Sequence, residues 1–460
     1  MNESAINRNA MKMNRNTSML IGLLLVLLLW ANPSDIMAQE YSLDDLYRTA
    51  LQTAEKIKIS EENIAIAQAG KSKALSYLLP RLTTFASFTD FTEAKYGPAS
   101  TIPIPGGAIT FPGSLIQPHA AGTWGVRLDE SLSLSGREFT SLKISEDNLE
   151  KNRLDTYAMK EDYLLAVAFA YYNVLKAGKH LDIAEANVER LSTYRQAADK
   201  RFRVGEATRT VLLRAEAELS GALSDRMTAK NGLELATAHI NRIVGLRDVM
   251  RLKAEPPAAP DISPLETYVT TALAERSDLK GLEIQKKLAA RQVRYASGAH
   301  WPSLSVSGVY SGQDQSPAAS TLNRESVYAG VALNFPLFEG GLRQAEVREA
   351  RAKEKQGGLF YDDLKKTIAI EVQAAYLDLM TQKATLKFLE DQLVFARDNF
   401  QAVARQFEFG LAHSIDVMDA NTLLVSAERK ASDAAYNYQM AVLRMKRATG
   451  VLLKEILAKN

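Results

Sequence analysis

Cysteine is absent from the 460 residues. That excludes disulfides, thiolate metal sites, cysteine nucleophiles and a lipid-bearing cysteine. An excess of either charge is also missing. The 56 basic residues against 54 acidic ones leave a net +2, so no basic stripe marks a nucleic-acid partner. The five histidines (His119, His180, His239, His300 and His413) lack metal-ligand spacing and read as structural. HExxH, phosphate-loop, nucleophile-elbow and CxxC motifs are all missing. An enzyme, a cofactor and a metal site are therefore not expected. A long apolar run occurs only at Met19–Trp30, too short for the ~20 residues that span a bilayer. Arg8, Lys12 and Arg15 precede it, and Pro33 and Ile36-Met37-Ala38 follow. Residues 1–38 thus read as a secretory signal peptide.

What is present is a chain written twice. Gly125 to Gly245 aligns with Gly330 to Gly450 at a constant offset of 205. Arg201-Phe202-Arg203-Val204-Gly205 falls on Gln406-Phe407-Glu408-Phe409-Gly410, and Ala170-Tyr171 on Ala375-Tyr376. Upstream, Leu43 to Phe88 aligns with Leu265 to Tyr310 at offset 222, with Pro80 on Pro302. A duplication this regular fixes the architecture. The expected organisation is a first structural repeat over 39–247, a linker over 248–263 that includes the Pro-rich Glu255 to Pro264, and a second repeat over 264–460.

The longest segments carry apolar residues at strict three-four spacing. In the second half the stripe is Val372, Ala375, Leu379, Gln382, Leu386, Leu389, Leu393, Ala396, Phe400, Val403 and Phe407. A returning stripe runs from Val417 and Ala420 to Met445 and Ala448. The first half repeats both, from Val167 to Phe202 and from Leu212 to Ile243. A sustained 3.5-residue period means supercoiled helices packed knobs-into-holes. Each outgoing helix is expected to start near 137 or 342 and run about 65 residues, roughly 100 Å. Glycine then breaks it, at Gly205 and Gly410.

Away from the tips the period changes to two. Leu304, Val306, Gly308 and Tyr310 alternate with Ser303, Ser305 and Ser307. Val327, Ala329, Val331, Leu333 and Phe335 alternate with Tyr328, Gly330, Ala332 and Asn334. The first half is weaker: Leu82 to Phe91 has mixed faces, and Glu130 interrupts Trp124, Val126, Leu128 and Leu132. This is the pattern of a transmembrane β-barrel, though a soluble sandwich shows it too. Trp124, Trp301, Tyr310 and Tyr328 are candidates for interfacial girdles. Gly97 to Gly122, rich in Pro and Gly, reads as an exposed loop. Four strands close a barrel only if several chains contribute.

The run Asn334-Phe335-Pro336-Leu337-Phe338-Glu339-Gly340-Gly341-Leu342-Arg343 and the run Phe409-Gly410-Leu411-Ala412-His413-Ser414-Ile415-Asp416-Val417-Met418-Asp419-Ala420 resemble the TolC-like outer membrane efflux protein family. The resemblance covers essentially the whole chain after the signal. It implies a mainly α fold with transmembrane β: long coiled-coil hairpins form an α-barrel, and four strands per chain complete a 12-stranded barrel in a homotrimer. It further implies an outer membrane channel-tunnel with a periplasmic extension. Such a tunnel passively exports small molecules as the exit duct of a tripartite pump, with a periplasmic adaptor and an inner-membrane transporter as partners. The alternatives are a type I protein secretion duct and a periplasmic structural or adaptor protein.

The candidate pore constriction is Asp416 and Asp419. Spacing i, i+3 puts both on one helix face beside the Val417/Ala420 seam. By spacing alone they read as first-turn acids that complement the helix dipole. The resemblance instead implies a carboxylate ring around a cation-favouring pore. Where the best-known family pattern has a tyrosine and an arginine tying the tips, this chain has Phe407, Ala412 and Val211. The candidate adaptor-docking tips are Val204, Gly205, Glu206, Ala207 and Thr208, and Phe409, Gly410, Leu411, Ala412 and His413.

Overall fold

A computed structural model describes residues 40–246, 251–254, 262–319 and 322–458. The signal peptide and most of the 248–263 linker lie outside the described residues. In chain order the elements are β1 (Glu40–Tyr41), α1 (Leu43–Thr53), α2 (Glu55–Ser76), β2 (Arg81–Asp90), β3 (Lys95–Tyr96), β4 (Ser100–Ile104), β5 (Gly107–Phe111), β6 (Leu115–Gln117), β7 (Ala120–Ser133), α3 (Arg137–Arg203) and α4 (Arg209–Val244). They continue with β8 (Arg251–Leu252), α5 (Leu265–Glu275), α6 (Ser277–Ser297), β9 (Ser303–Ser316), β10 (Glu325–Asn334), α7 (Leu342–Glu408), α8 (Ser414–Ala448) and α9 (Leu452–Ala458).

The duplication is visible in where elements start. α5, α6 and β9 begin 222 residues after α1, α2 and β2, while α7 and α8 begin 205 after α3 and α4. Even the break between the short helices repeats. Ala54 has φ −65° and ψ 124°, and Arg276 has φ −61° and ψ 123°. Both outgoing helices have 67 residues.

Contacts divide the chain into two compact units, 1–48 with 170–256 and 49–169 with 257–460. In the first, β1 and β8 form a short parallel ladder, and the Tyr171 hydroxyl donates to the Lys253 carbonyl. Ser42 and Asp45 cap α1 reciprocally, through Ser42 N–H to the Asp45 carboxylate (3.1 Å) and Asp45 N–H to Ser42 Oγ (3.2 Å). The seam is buried at Val174, Ala184, Leu191 and Ala198 of α3 and at Ala215, Ala222 and Ile240 of α4. Phe202 and Arg226, both in the expected stripes, are exposed.

The second unit holds the main core. Ala272, Leu279, Ile368, Val372, Leu379, Tyr438, Ala441, Val442 and Met445 come together from α5, α6, α7 and α8. Every residue of the α7 stripe is buried or half-buried, and the α8 stripe is buried from Val417 through Met445. Arg276 is buried at the α5–α6 break, with 2.6 Å to Asp278, 2.5 Å to Glu371 and a bond to the Ala448 carbonyl. Burial would lower its pKa, but the hydrogen bonds it donates to both carboxylates outweigh that and raise it. Asp278 is held below its ordinary value by the same pairing, against its own burial.

The sheet of this unit runs β10-β9-β7-β2, antiparallel throughout. Register places Leu82 and Phe88, Trp124, Val126, Leu128 and Leu132, Leu304, Val306 and Tyr310, and Val327, Val331 and Leu333 on one face. The other face carries serine pairs: Ser131 lies 3.1 Å from Ser305, and Ser311 2.8 Å from Ser326. Trp124 packs edge-on to Tyr310, centroids 5.7 Å apart, and lies over Gly312, where a Cβ would come within 2.5 Å of the ring. Tyr328 pairs with Val309 on the serine-bearing face, so it cannot share a girdle with Trp124 and Tyr310. Glu130 does sit on the apolar face, opposite Val306, with one oxygen shielded and unpartnered among the described residues.

Gly97 to Gly122 is not the plain loop expected. It holds β4 and β5, paired as a hairpin, and β6, which pairs with β3 just before the segment. Pro105-Gly106, with Gly106 at φ 96°, makes the turn. Ile102 lies opposite Ile109, and both are exposed as expected. Among the described residues no helix is long and apolar enough to cross a membrane.

Candidate pore site: strands, helices and tips

In the second unit the helices continue the order of the strands. β2 follows α2, β7 leads into α3, β9 follows α6, and β10 leads into α7. Cross-contacts place α2 beside α3 through Ser60–Thr156 (2.9 Å), Lys160–Glu61 (2.7 Å) and Lys71–Glu146 (3.0 Å). They place α3 beside α6 through Arg291–Asp147 (2.8 Å), and α6 beside α7 where Gly357 meets Ala289. The helix row α2-α3-α6-α7 is thus the strand row β2-β7-β9-β10 prolonged. The sheet ends in two free edges, β2 and β10.

Both tips use one device. Gly205 (φ 79°) and Gly410 (φ 75°) stand in the left-handed region. In the first, Gly205 N–H reaches the Phe202 carbonyl and Glu206 N–H the Arg201 carbonyl. In the second, Gly410 N–H reaches Phe407 and Leu411 N–H reaches Gln406. This is the Schellman arrangement, which satisfies the last carbonyls of each helix. Val204, Phe409 and Leu411 are each at least 70% exposed. Gly205, Glu206, Thr208, Gly410 and His413 are exposed as well, and Ala207 and Ala412 half-buried.

Asp416 and Asp419 are both exposed on the first turns of α8, flanking buried Val417 and Ala420. The Asp416 carboxylate accepts the His413 N–H at 2.8 Å, so it caps the helix as well as carrying charge. The Asp419 carboxylate makes no hydrogen bond or ion pair among the described residues.

Sequence reasoning missed two features. One is Glu161, buried on α3, which accepts the Leu453 N–H at 3.3 Å; burial pushes its pKa up. Standing between Lys160 and Asp162, it reads as part of a solvated charged run and gives no warning of that. The other is a second heptad stripe on α7, namely Ile370, Ala374, Leu377, Thr381, Ala384, Phe388, Asp391 and Phe395, all exposed. Reading a second register of the same helix reveals it.

The profile of the family described as outer membrane efflux protein matches residues 46–246 and 268–451. Outer membrane protein TolC of Escherichia coli is 24% identical over 315 residues, 65% of this chain and 64% of that protein. Alkaline protease secretion protein AprF of Pseudomonas aeruginosa is 26% identical over 305 residues, 64% of this chain and 63% of that one. The chain thus spans just under two thirds of these relatives. Among solved structures, the Campylobacter jejuni CmeC outer membrane channel superposes with TM-score 0.77 at 17% identity, covering 89% of this chain and 86% of that one.

Proposed function

Because this chain belongs to the outer membrane efflux protein family, we propose that three copies form a duct through the outer membrane and into the periplasm. The observation that carries this reading is the shared order of strands and helices, with one apolar sheet face and two free edges. In lipid an open edge leaves backbone groups unsatisfied, so β2 of one copy must pair with β10 of the next. Three four-stranded sheets close a 12-stranded barrel. From Trp301, two residues before β9, to Tyr310 the extended chain rises about 30 Å. At a tilt near 45° this is about 21 Å of height, close to the apolar band of such barrels.

The duct performs no chemistry. Cargo is released by a periplasmic adaptor and an inner-membrane transporter, the adaptor docking at Val204 to Thr208 and Phe409 to His413. Export of small molecules is the leading reading. The similarity to a protease secretion protein supports protein secretion as the second. Asp416 and Asp419 of three copies form the constriction, a carboxylate ring that favours cations.

Single-channel conductance in a planar bilayer tests this, beside the Asp416→Ala/Asp419→Ala variant. A cation-selective conductance whose selectivity falls in the variant is expected. Unchanged selectivity removes the aspartate constriction and keeps the duct. Absence of conductance, from a soluble and non-trimeric protein, removes the duct.

A further inference from the structure

A cleft of about 350 Å³ opens between α3 and α6, lined by Lys143, Glu146, Ala290, Arg291 and Arg294. Its charges are unevenly satisfied. Glu146 is neutralised by Lys71 at 3.0 Å, and Arg291 is held by Asp147 at 2.8 Å. Lys143 and Arg294 are exposed and have no carboxylate within ion-pair distance among the described residues. Two unsatisfied cations and a half-satisfied guanidinium therefore face one cleft. A guanidinium fork and an ammonium suit the oxygens of a phosphate.

The depth of the cleft identifies the source of that phosphate. Arg294 lies three residues before the end of α6, and Lys143 six residues after the start of α3. At 1.5 Å per residue these are about 5 Å and 9 Å from the strand-side helix ends. Exposed Tyr77, Leu79, Leu134, Phe139, Trp301 and Phe338 cluster along the chain at that same helix-to-strand junction. Exposed aromatic and apolar residues there fit the lower girdle of a membrane barrel. The polar headgroup layer adds roughly 5–8 Å beyond the hydrocarbon on each side. Arg294 thus stands at headgroup depth, and Lys143 just at the inner boundary of that layer.

We propose that this cleft binds a phosphate-bearing anion, supplied by the headgroup of an acidic phospholipid in the periplasmic leaflet. The lipid source rests on the membrane placement proposed above. The cleft's affinity for a phosphate does not.

Native mass spectrometry of the full chain in detergent, with phosphatidylglycerol or phosphatidylcholine added, tests the site. One tightly retained phosphatidylglycerol per chain is expected, falling about tenfold in Lys143→Gln/Arg294→Gln, with phosphatidylcholine equally weak in both. The charge-conserving Lys143→Arg/Arg294→Lys variant should retain the lipid, which separates charge from folding. Equal phosphatidylglycerol retention by wild type and the Gln variant overturns the site. If millimolar inorganic phosphate alone fills the cleft and displaces the lipid, the lipid source is overturned. A chain that stays soluble without detergent overturns the membrane placement, and the phosphate arm in plain buffer still reads the cleft by itself.

Discussion

Glu161, among the described carboxylates, has surroundings that oppose its charge. It is 1% exposed, with Asp162 and Asp278 nearby adding to the effect of burial, and Arg447 and the Leu453 N–H opposing it. The net result is a raised pKa. A group whose folded pKa lies above its unfolded one contributes stability that is full below the unfolded value and lost as pH rises through the folded value. Glu161→Gln keeps an oxygen for the Leu453 N–H and removes the charge. Its thermal unfolding midpoint should therefore rise at about pH 7.5, and the gain should shrink toward pH 4. A midpoint lowered at neutral pH would show that the charge itself supports the docking of α9. Little of this was legible in sequence, because burial by a distant segment leaves no local mark. The spacing of Asp416 and Asp419 was legible, whereas the capping bond from His413 N–H to the Asp416 carboxylate was not among the readings made from sequence.

Among the elements, glycines end the helices in two distinct settings. Gly410, at φ 75°, has open space where a Cβ would go, whereas Gly450, at φ 74°, would place a Cβ 2.9 Å from the Arg276 Cα. Gly410→Ala should cost about 1 kcal/mol, the expense of a left-handed alanine. Gly450→Ala should cost at least about 2 kcal/mol, since it also displaces the backbone beside the Arg276 ion pairs. Paired thermal melts decide the order, and a milder Gly450→Ala would mean that the α5–α6 break yields readily. The helix starts at 137 and 342, both glycine breaks and the two second-half strands were readable because period and breaker agree over many residues, while the first-half strands were read through weaker alternation that Glu130 interrupts. The β4–β5 hairpin was not, since Pro and Gly dominate Pro103 to Gly107 and mask the alternation of Ile102, Ile104, Ile109 and Phe111.

The whole assembly must account for what one chain leaves uncovered. The first α7 stripe is spent within the chain, on the seam that includes Val372 and Leu379. The second is not: Ile370, Leu377, Phe388 and Phe395 are each more than half exposed. A heptad of that length has no reason to face water when the opposite side of the helix is already packed. In the proposed trimer it faces the neighbouring copy, so that each helical wall is sealed as each sheet edge is. The expectation is that Phe388→Glu/Phe395→Glu separates the trimer into folded monomers. Each introduced charge forfeits the ~2–3 kcal/mol of a buried phenylalanine at every one of the interfaces and adds the cost of burying a carboxylate. Light scattering of the detergent-purified variant reads the mass, and circular dichroism confirms that the helices persist. A variant that remains trimeric with wild-type melting would place the stripe on a surface other than the subunit interface and leave the strand edges as the main subunit contact.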